Sequence, residues 1–455
     1  MSLGDAMHQK SGRPGPAMTR SGEAARRVGG DEAGLCRHEP GSSGSALLDA
    51  ALKRENMVLA WKRIKANKGS AGVDGRSIDQ THRYLQQHWP RIRAELINGT
   101  YRPMPVRRVA IPKPDGGQRE LGIPTVTDRL IQQALLQVLQ PLIDPTFSEH
   151  SDGFRPGRNA HMAVMRAQGY IHSGKRYVVD VDLEKFFDRV QHDVLMDRLR
   201  KRIDDPVVLA LIRRYLQVGV MAHGVVMERY QGTPQGGPLS PLLANVLLDE
   251  VDRQLERRGH AFVRYADDCN VYVGSRTAGE RVLAGLRQVF GRLKLSINEG
   301  KSAVARATER KFLGFSFYVS AGGEVKRRVA RKALAAYKHR IRRLTRRSGG
   351  RSIAQVVENL RGYIPGWKAY FAPAQTPKVF RELDEWLRHR LRALHLKHWK
   401  RGTTIYPALL KLGASPEDAR IVAANARGWW RNSRFRLNRA LPISYFDRLG
   451  VPKLS

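Results

Sequence analysis

The chain has 455 residues, of which 80 are Lys or Arg and 42 are Asp or Glu, giving a net charge of +38. That length allows roughly three domains with buried cores, and the charge asks for a polyanionic partner, nucleic acid before any other. Two cysteines, Cys36 and Cys269, exclude a disulfide framework; no apolar run approaches the roughly 18 residues of a membrane span, so a soluble protein in a reducing compartment is expected.

Residues 1–48 are rich in Gly, Ser, Ala and Arg with almost no large apolar side chain, and read as a disordered leader. Asp5, Glu23, Asp31 and Glu32 argue against an organelle transit peptide, and no signal-peptide core follows Met1. Helical periodicity begins near Leu47 and runs through Trp61 and Ile64 to Gly69-Ser70-Ala71-Gly72-Val73-Asp74-Gly75, a glycine-rich loop or linker.

From Tyr101 strand-like and helical segments alternate. Residues 109–124 read as two short strands joined by an Asp115-Gly116-Gly117 turn, with Lys113 and Arg119 flanking it as a solvated rim or as a pair able to grip phosphate. Gly153-Phe154-Arg155-Pro156-Gly157-Arg158-Asn159-Ala160-His161 is turn-rich and leads into a helix, where His161 has no metal-type side chain four residues on and reads as packing.

Tyr177-Val178-Val179-Asp180-Val181-Asp182 is a near-continuous β run ending in acid, and the period of two puts Asp180 and Asp182 on one face. Phe262 to Val273, interrupted by Tyr265-Ala266-Asp267-Asp268, reads as a β-hairpin with carboxylates at its tip. Adjacent carboxylates repel by about 4 kcal/mol at roughly 4 Å and an effective dielectric near 20, so a positive group is expected nearby. If the first strand pairs beside the hairpin, Asp182 and Asp267 converge as hard oxygen ligands for Mg²⁺. An ordinary solvated Asp-Asp turn is the alternative.

Between these runs, Gln231-Gly232-Thr233-Pro234-Gln235-Gly236-Gly237-Pro238 is a loop that precedes the apolar helix from Leu242 to Leu248. The last third is different. Residues 326–347 hold eleven Lys and Arg and no acid, while Leu334, Tyr337, Ile341 and Leu344 recur at helical spacing, marking an amphipathic helix whose outer surface is basic. Residues 326–455 carry 31 Lys and Arg against seven acids, interleaved with Tyr363, Trp367, Tyr370, Phe371, Trp386, Trp399, Trp429, Trp430 and Phe435. A solvated face and a membrane-surface helix are alternatives for the charge, and such rings more often form core than stack bases, but this continuation favours RNA, with candidate contacts at Lys338, Arg342, Arg346, Trp367 and Arg431.

The Asp182-to-Phe187 spacing, the Tyr-Ala-Asp-Asp box and the ordered segments around them resemble a bacterial group II intron-encoded reverse transcriptase/maturase over residues 49–455. The resemblance implies an α+β right-hand polymerase, with fingers and an antiparallel palm sheet followed by an α-helical thumb. Its divisions are an N-terminal extension at 49–102, fingers and palm at 103–322, a thumb/maturase domain at 323–410 and a basic segment at 411–455. It implies a catalytic set of Asp182, Asp267 and Asp268 and a metal set of Asp182, Leu183 and Asp267 for two Mg²⁺ ions, with Mn²⁺ as the alternative. Lys113, Arg119 and Lys301 then face the triphosphate and the departing pyrophosphate. Phe187 bars a ribose 2′-hydroxyl, Gln235 and Gly236 line the nucleotide pocket, and Phe312-Leu313-Gly314-Phe315 grips the primer end. Arg155 and Arg158 lie by the template.

Gly362 to Phe371 resembles the maturase part, and Tyr445 to Gly450 resembles the ends of relatives without an endonuclease. No Cys-x-x-Cys pair or His-Asn-His cassette follows residue 400, so second-strand cleavage is not expected. The implied partners are the chain's own intron RNA, an RNA template, a DNA primer or target and dNTPs, in a bacterial cytoplasm on the nucleoid. A domesticated reverse transcriptase of repair or defence, and a splicing maturase that does not polymerise, are the alternatives.

Overall fold

The computed structural model describes residues 45–112, 117–222, 225–227, 231–233, 236–434 and 436–455. Lys113, Gln235, Phe435, most of the 113–117 turn and residues 1–44 of the expected leader lie outside the described residues, as does the side chain of Arg119. The leader's expected boundary at 48 is too late: Ser45 caps a helix over Ala46–Leu52 by accepting from the Leu48 amide, and Leu48, Ala51 and Leu52 are buried.

The architecture is α+β, as expected. Strands β1 (Val106–Pro112), β2 (Gln118–Ile123), β4 (Val220–Ala222) and β5 (Val225–Met227) form one sheet in the order β2-β1-β4-β5. The second sheet is antiparallel, ordered β6-β7-β3-β8, from β3 (Tyr177–Val181), β6 (Ala261–Tyr265), β7 (Asp268–Val273) and β8 (Ala303–Arg306). Strands β9 (Lys311–Phe312), β10 (Phe315–Val319) and β11 (Val325–Val329) form the third, ordered β11-β10-β9.

Two large cores flank the second sheet. One packs Val179, Val271 and Phe262 against the helices Val126–Ile143, His192–Arg200, Ser240–Arg257 and Arg276–Arg292. The other joins Val178, Val263 and Tyr272 to the third sheet and to the helices Arg331–Leu344, Ile353–Arg361, Ile364–Phe371 and Pro377–Trp399. The proposed boundary between 322 and 323 therefore cuts the β10–β11 hairpin, whose Phe315, Phe317, Val325 and Val329 bury together with Tyr337, Trp367 and Phe371. The segment 411–455 is helical; its Val422 and Leu437 join Ile405 and Leu409 in a small core, while its Leu441, Phe446, Val451 and Leu454 belong to the second large core.

A buried acid anchors the helix Val126–Ile143. Asp128 accepts from the Tyr101 hydroxyl at 2.8 Å, the Thr125 hydroxyl at 2.6 Å and the Met104 amide at 3.3 Å. Burial pushes its carboxyl up to about 6. The fold thus favours the protonated form, and stability is fullest below the unfolded value near 4 and falls as pH climbs towards 6, by about 3 kcal/mol. In Asp128→Asn this slope should vanish. Denaturant titrations at pH 4 and pH 7 check it, and equal pH dependence in the two proteins would contradict it.

Candidate active site

The second sheet brings the acids together. Tyr265 pairs with Asp268 across the hairpin, and Val181 pairs with Cys269, so Asp182 leaves β3 beside Asp268 with Asp267 at the adjacent tip. Asp267 and Asp268 are both half-buried. Burial and the charge of Asp267 push the Asp268 carboxyl up to about 7, with Asp180 and Asp182 adding to the effect. Among the described residues no ion pair is made by the Asp267–Asp268 pair, where a cation is expected; the Lys301 ammonium lies instead 3.7 Å from Asp182 Oδ2. Its segment is tied to β3: the Asn298 amide donates to the Asp182 carbonyl at 2.8 Å and the Asp182 amide to the Ser302 hydroxyl at 3.0 Å. Asp180, on the same face, is engaged differently, through a 2.6 Å ion pair with Arg310.

The turn carrying Asp267 is held from behind by residues that the sequence reading missed. Ala266 has φ of 59°, a left-handed conformation that an alanine adopts at a cost. Arg264, 1% exposed, donates to the Ala266 carbonyl at 2.9 Å, to Asn245 Oδ1 at 2.8 Å and to both Asp252 oxygens. Asn245 in turn donates to the Gly153 carbonyl at 2.9 Å. Gly153 is required there, since a Cβ would collide with the backbone nitrogen of Ala266. The Gly153 loop therefore buttresses the hairpin tip.

That arrangement corrects the expectation for Arg155. Its guanidinium is buried and donates to the Asp144 carboxylate and to the carbonyls of Asp144, Ser148 and Ser151, which leaves nothing for a template phosphate. Arg158 is also turned inward in part, donating to the Glu149 carbonyl at 2.7 Å and lying 3.3 Å from Asp152. His161, as expected, packs: its Nε2 is 2.7 Å from the Tyr370 carbonyl.

Phe186 and Phe187 divide their work. Phe186 is buried and Phe187 half-buried, their rings meeting edge-on at 5.0 Å. The Thr233 amide donates to the Phe187 carbonyl at 2.7 Å, and Gly236, with φ of 139°, sits where a Cβ would be 2.7 Å from the Gly122 carbonyl. The glycine loop thus spans from Phe187 to β2, the strand that carries Arg119. Leu183 extends β3 through a bridge to Ile297 and buries its side chain in the core. Leu313 and Gly314 both have positive φ, and the Tyr370 hydroxyl donates to the Leu313 carbonyl at 3.0 Å.

Trp367 also departs from expectation. It is 2% exposed among Tyr337, Phe371 and Phe380, so it is a core residue and no stacking platform. Lys338 and Arg342, together with Arg390, surround Trp386 at 5.4–6.0 Å. Arg346 and Arg431 are exposed, the latter beside Trp430, which stacks on His389 at 3.7 Å and is 41% exposed.

Asp182, Asp267 and Asp268 are hard oxygen donors, the type that suits a hard divalent cation. Among the described residues no group of three or more acid, His or Cys side chains is arranged to hold a metal ion, the Asp182, Asp267 and Asp268 set included. No described helix is long and apolar enough to cross a membrane.

A sheet ending in paired carboxylates, flanked by a glycine loop and backed by basic helices, is the framework of a template-dependent nucleotidyl polymerase. Residues 111–317 match the family model described as reverse transcriptase (RNA-dependent DNA polymerase), and residues 334–411 match the group II intron maturase-specific domain. The chain is 32% identical over 312 residues to Protein YkfC of Escherichia coli K12, covering 60% of this chain and 81% of that protein. It is 28% identical over 343 residues to the group II intron-encoded protein LtrA of Lactococcus lactis, covering 61% of this chain and 57% of LtrA. A chain of a partial Cas6-RT-Cas1–Cas2 complex aligns with 54% of this chain and 42% of its own at 27% identity, with a TM-score of 0.36. The chain belongs to the reverse transcriptase/maturase family of bacterial group II introns, and with that membership comes a general requirement for a divalent metal.

Proposed function

We propose that this protein copies RNA into DNA at the Asp182–Asp267–Asp268 cluster and binds its own intron RNA as a maturase, supporting splicing and target-primed retrohoming. The observation that carries the reading is the strand register that sets Asp182 beside Asp268 at the hairpin tip. Asp182 and Asp267, with the Leu183 backbone, would hold two Mg²⁺ ions; bound there, the metal lowers the pKa of a primer 3′-hydroxyl and offsets the charge of the departing pyrophosphate. Lys301 attracts that pyrophosphate, Lys113 and Arg119 grip the incoming dNTP, and the half-buried Phe187 lies under its sugar where a 2′-hydroxyl would clash. Gln235 and Gly236 complete the pocket. The basic outer face of the helix Arg331–Leu344, with the half-buried Lys338 and the exposed Arg342, is supported as an RNA contact by its charge, as are the exposed Arg346 just past the helix end and Arg431.

Primer extension on an RNA template tests this reading. The protein should incorporate dNTPs with Mg²⁺ and not with EDTA, and should discriminate strongly against rNTPs. Phe187→Ala should narrow that discrimination by about tenfold or more, the worth of one steric contact in a pocket. Unchanged selectivity would remove Phe187 from the sugar site.

A further inference from the structure

We propose that Arg310 is a positioning residue that withdraws Asp180 from the acid cluster and seats Lys301 against Asp182, leaving three carboxylates for the cation and the ammonium for the triphosphate. The inference rests on the catalytic reading above and names residues that it does not use.

Four acids, not three, gather at this end of the sheet. Asp180 precedes Asp182 by two residues in an extended strand, so both side chains take the same face. Left unpaired, Asp180 would be a second acceptor for the flexible Lys301 ammonium and an added negative charge facing a triphosphate. Arg310, in the turn between β8 and β9, prevents both. Its Nε donates to Asp180 Oδ2 at 2.8 Å, while Nη2 lies 2.6 Å from the same oxygen and donates to the Lys301 carbonyl at 2.7 Å. The other oxygen, Asp180 Oδ1, lies 3.0 Å from the end of the Asn270 side chain, whose amide donates to it once its oxygen and nitrogen are exchanged. One guanidinium therefore cancels the charge of Asp180 and fixes the backbone from which Lys301 extends. The Lys301 side chain is 59% exposed, and among the described residues its one ion pair is the 3.7 Å contact with Asp182. A lysine at 310 could supply the charge but not the planar fork that serves carboxylate and carbonyl together.

Steady-state primer extension with Arg310→Gln, Arg310→Lys, Asp180→Asn and the Arg310→Gln/Asp180→Asn pair tests the assignment. In Arg310→Gln the uncompensated Asp180 should raise the KM for dNTP by about tenfold and lower by about threefold the Mg²⁺ concentration for half-maximal rate, with the same fall in the Kd for Mn²⁺ read from its EPR signal in the absence of substrate. These two shifts have opposite signs, whereas a loosened site would weaken both. Adding Asp180→Asn should return the Mg²⁺ requirement to within about twofold of the natural protein, because the charge that Arg310 answers is then gone, and should lower the KM only part of the way, because the Lys301 carbonyl still lacks its donor. Arg310→Lys should show a smaller rise in KM than the glutamine variant and supplies the comparison if that variant does not fold. Constants that move in the same direction, or a double variant no better than Arg310→Gln, would overturn the proposal. Natural protein that fails to extend a primer under any divalent cation would instead overturn the catalytic reading.

Discussion

Alanine in place of Asp267 is expected to lower primer extension by about a thousandfold or more, since a metal ligand supplies several kcal/mol of transition-state stabilisation. The same variant should bind intron RNA with unchanged affinity and keep splicing assistance, because the basic helices that would grip RNA lie in a different part of the fold. The charge arithmetic supports that separation: 31 Lys and Arg but only seven acids lie at 326–455, while all four clustered aspartates precede residue 269. Extension and RNA binding assayed side by side check the split. Equal loss of both would point to a folding defect, and an unchanged cDNA yield would remove Asp267 from the active site.

The second large effect is expected at Arg264. Replacing it with methionine strands the Asp252 carboxylate, Asn245 Oδ1 and the Ala266 carbonyl in a fully buried setting. Breaking one side of a buried ion pair costs about 3–5 kcal/mol, a large share of the roughly 5–15 kcal/mol by which proteins of this kind are stable. Removing the partner as well, as in Arg264→Met/Asp252→Leu, should recover most of that loss, because no lone charge stays buried. Polymerase activity should not recover with it. The hairpin tip would still lack the donor to Ala266 that fixes the strained turn before Asp267, so stability and catalysis come apart in the double variant. Denaturant midpoints together with extension rates measure this; recovery of both would show that Arg264 matters for stability alone.

The acid site was legible in sequence because strands report their own geometry. Period-two patterning and the apolar runs around Asp182 and Asp267 were enough to place both at strand ends, while the cation expected beside the Asp267–Asp268 pair stands instead at Asp182, as Lys301. What could not be read was the direction taken by charged and aromatic side chains in loops and helices. Arg155 and Trp367 belong to residue types that both bind nucleic acid and fill cores, and composition cannot choose between these fates. The structure turns both inward.

A signal for the missed support was nevertheless present. Within the apolar helix Ser240–Arg257, Asn245, Asp249, Asp252 and Glu256 recur at spacings of four, three and four, a polar stripe on one face. Such a stripe must meet donors where it is buried, and the structure supplies Arg264 for Asn245 and Asp252, Arg202 for Asp249 and Ser148 for Glu256. Arg264 itself stands in the middle of a strand buried along four of its five residues, where an unpaired charge is not tolerated. The boundary near 322 was misplaced for a different reason. The family resemblance divides the chain there, but the β10–β11 hairpin spans the division and shares its core with the helices that follow.

Diffraction from crystals of the protein soaked in Mn²⁺, with anomalous scattering to locate the metal, tests the site most directly. The expected result is a Mn²⁺ ion held by carboxylate oxygens of both Asp182 and Asp267 at an inner-sphere distance of about 2 Å. Ions bound only elsewhere, with these two carboxylates too far apart to share one, would contradict it.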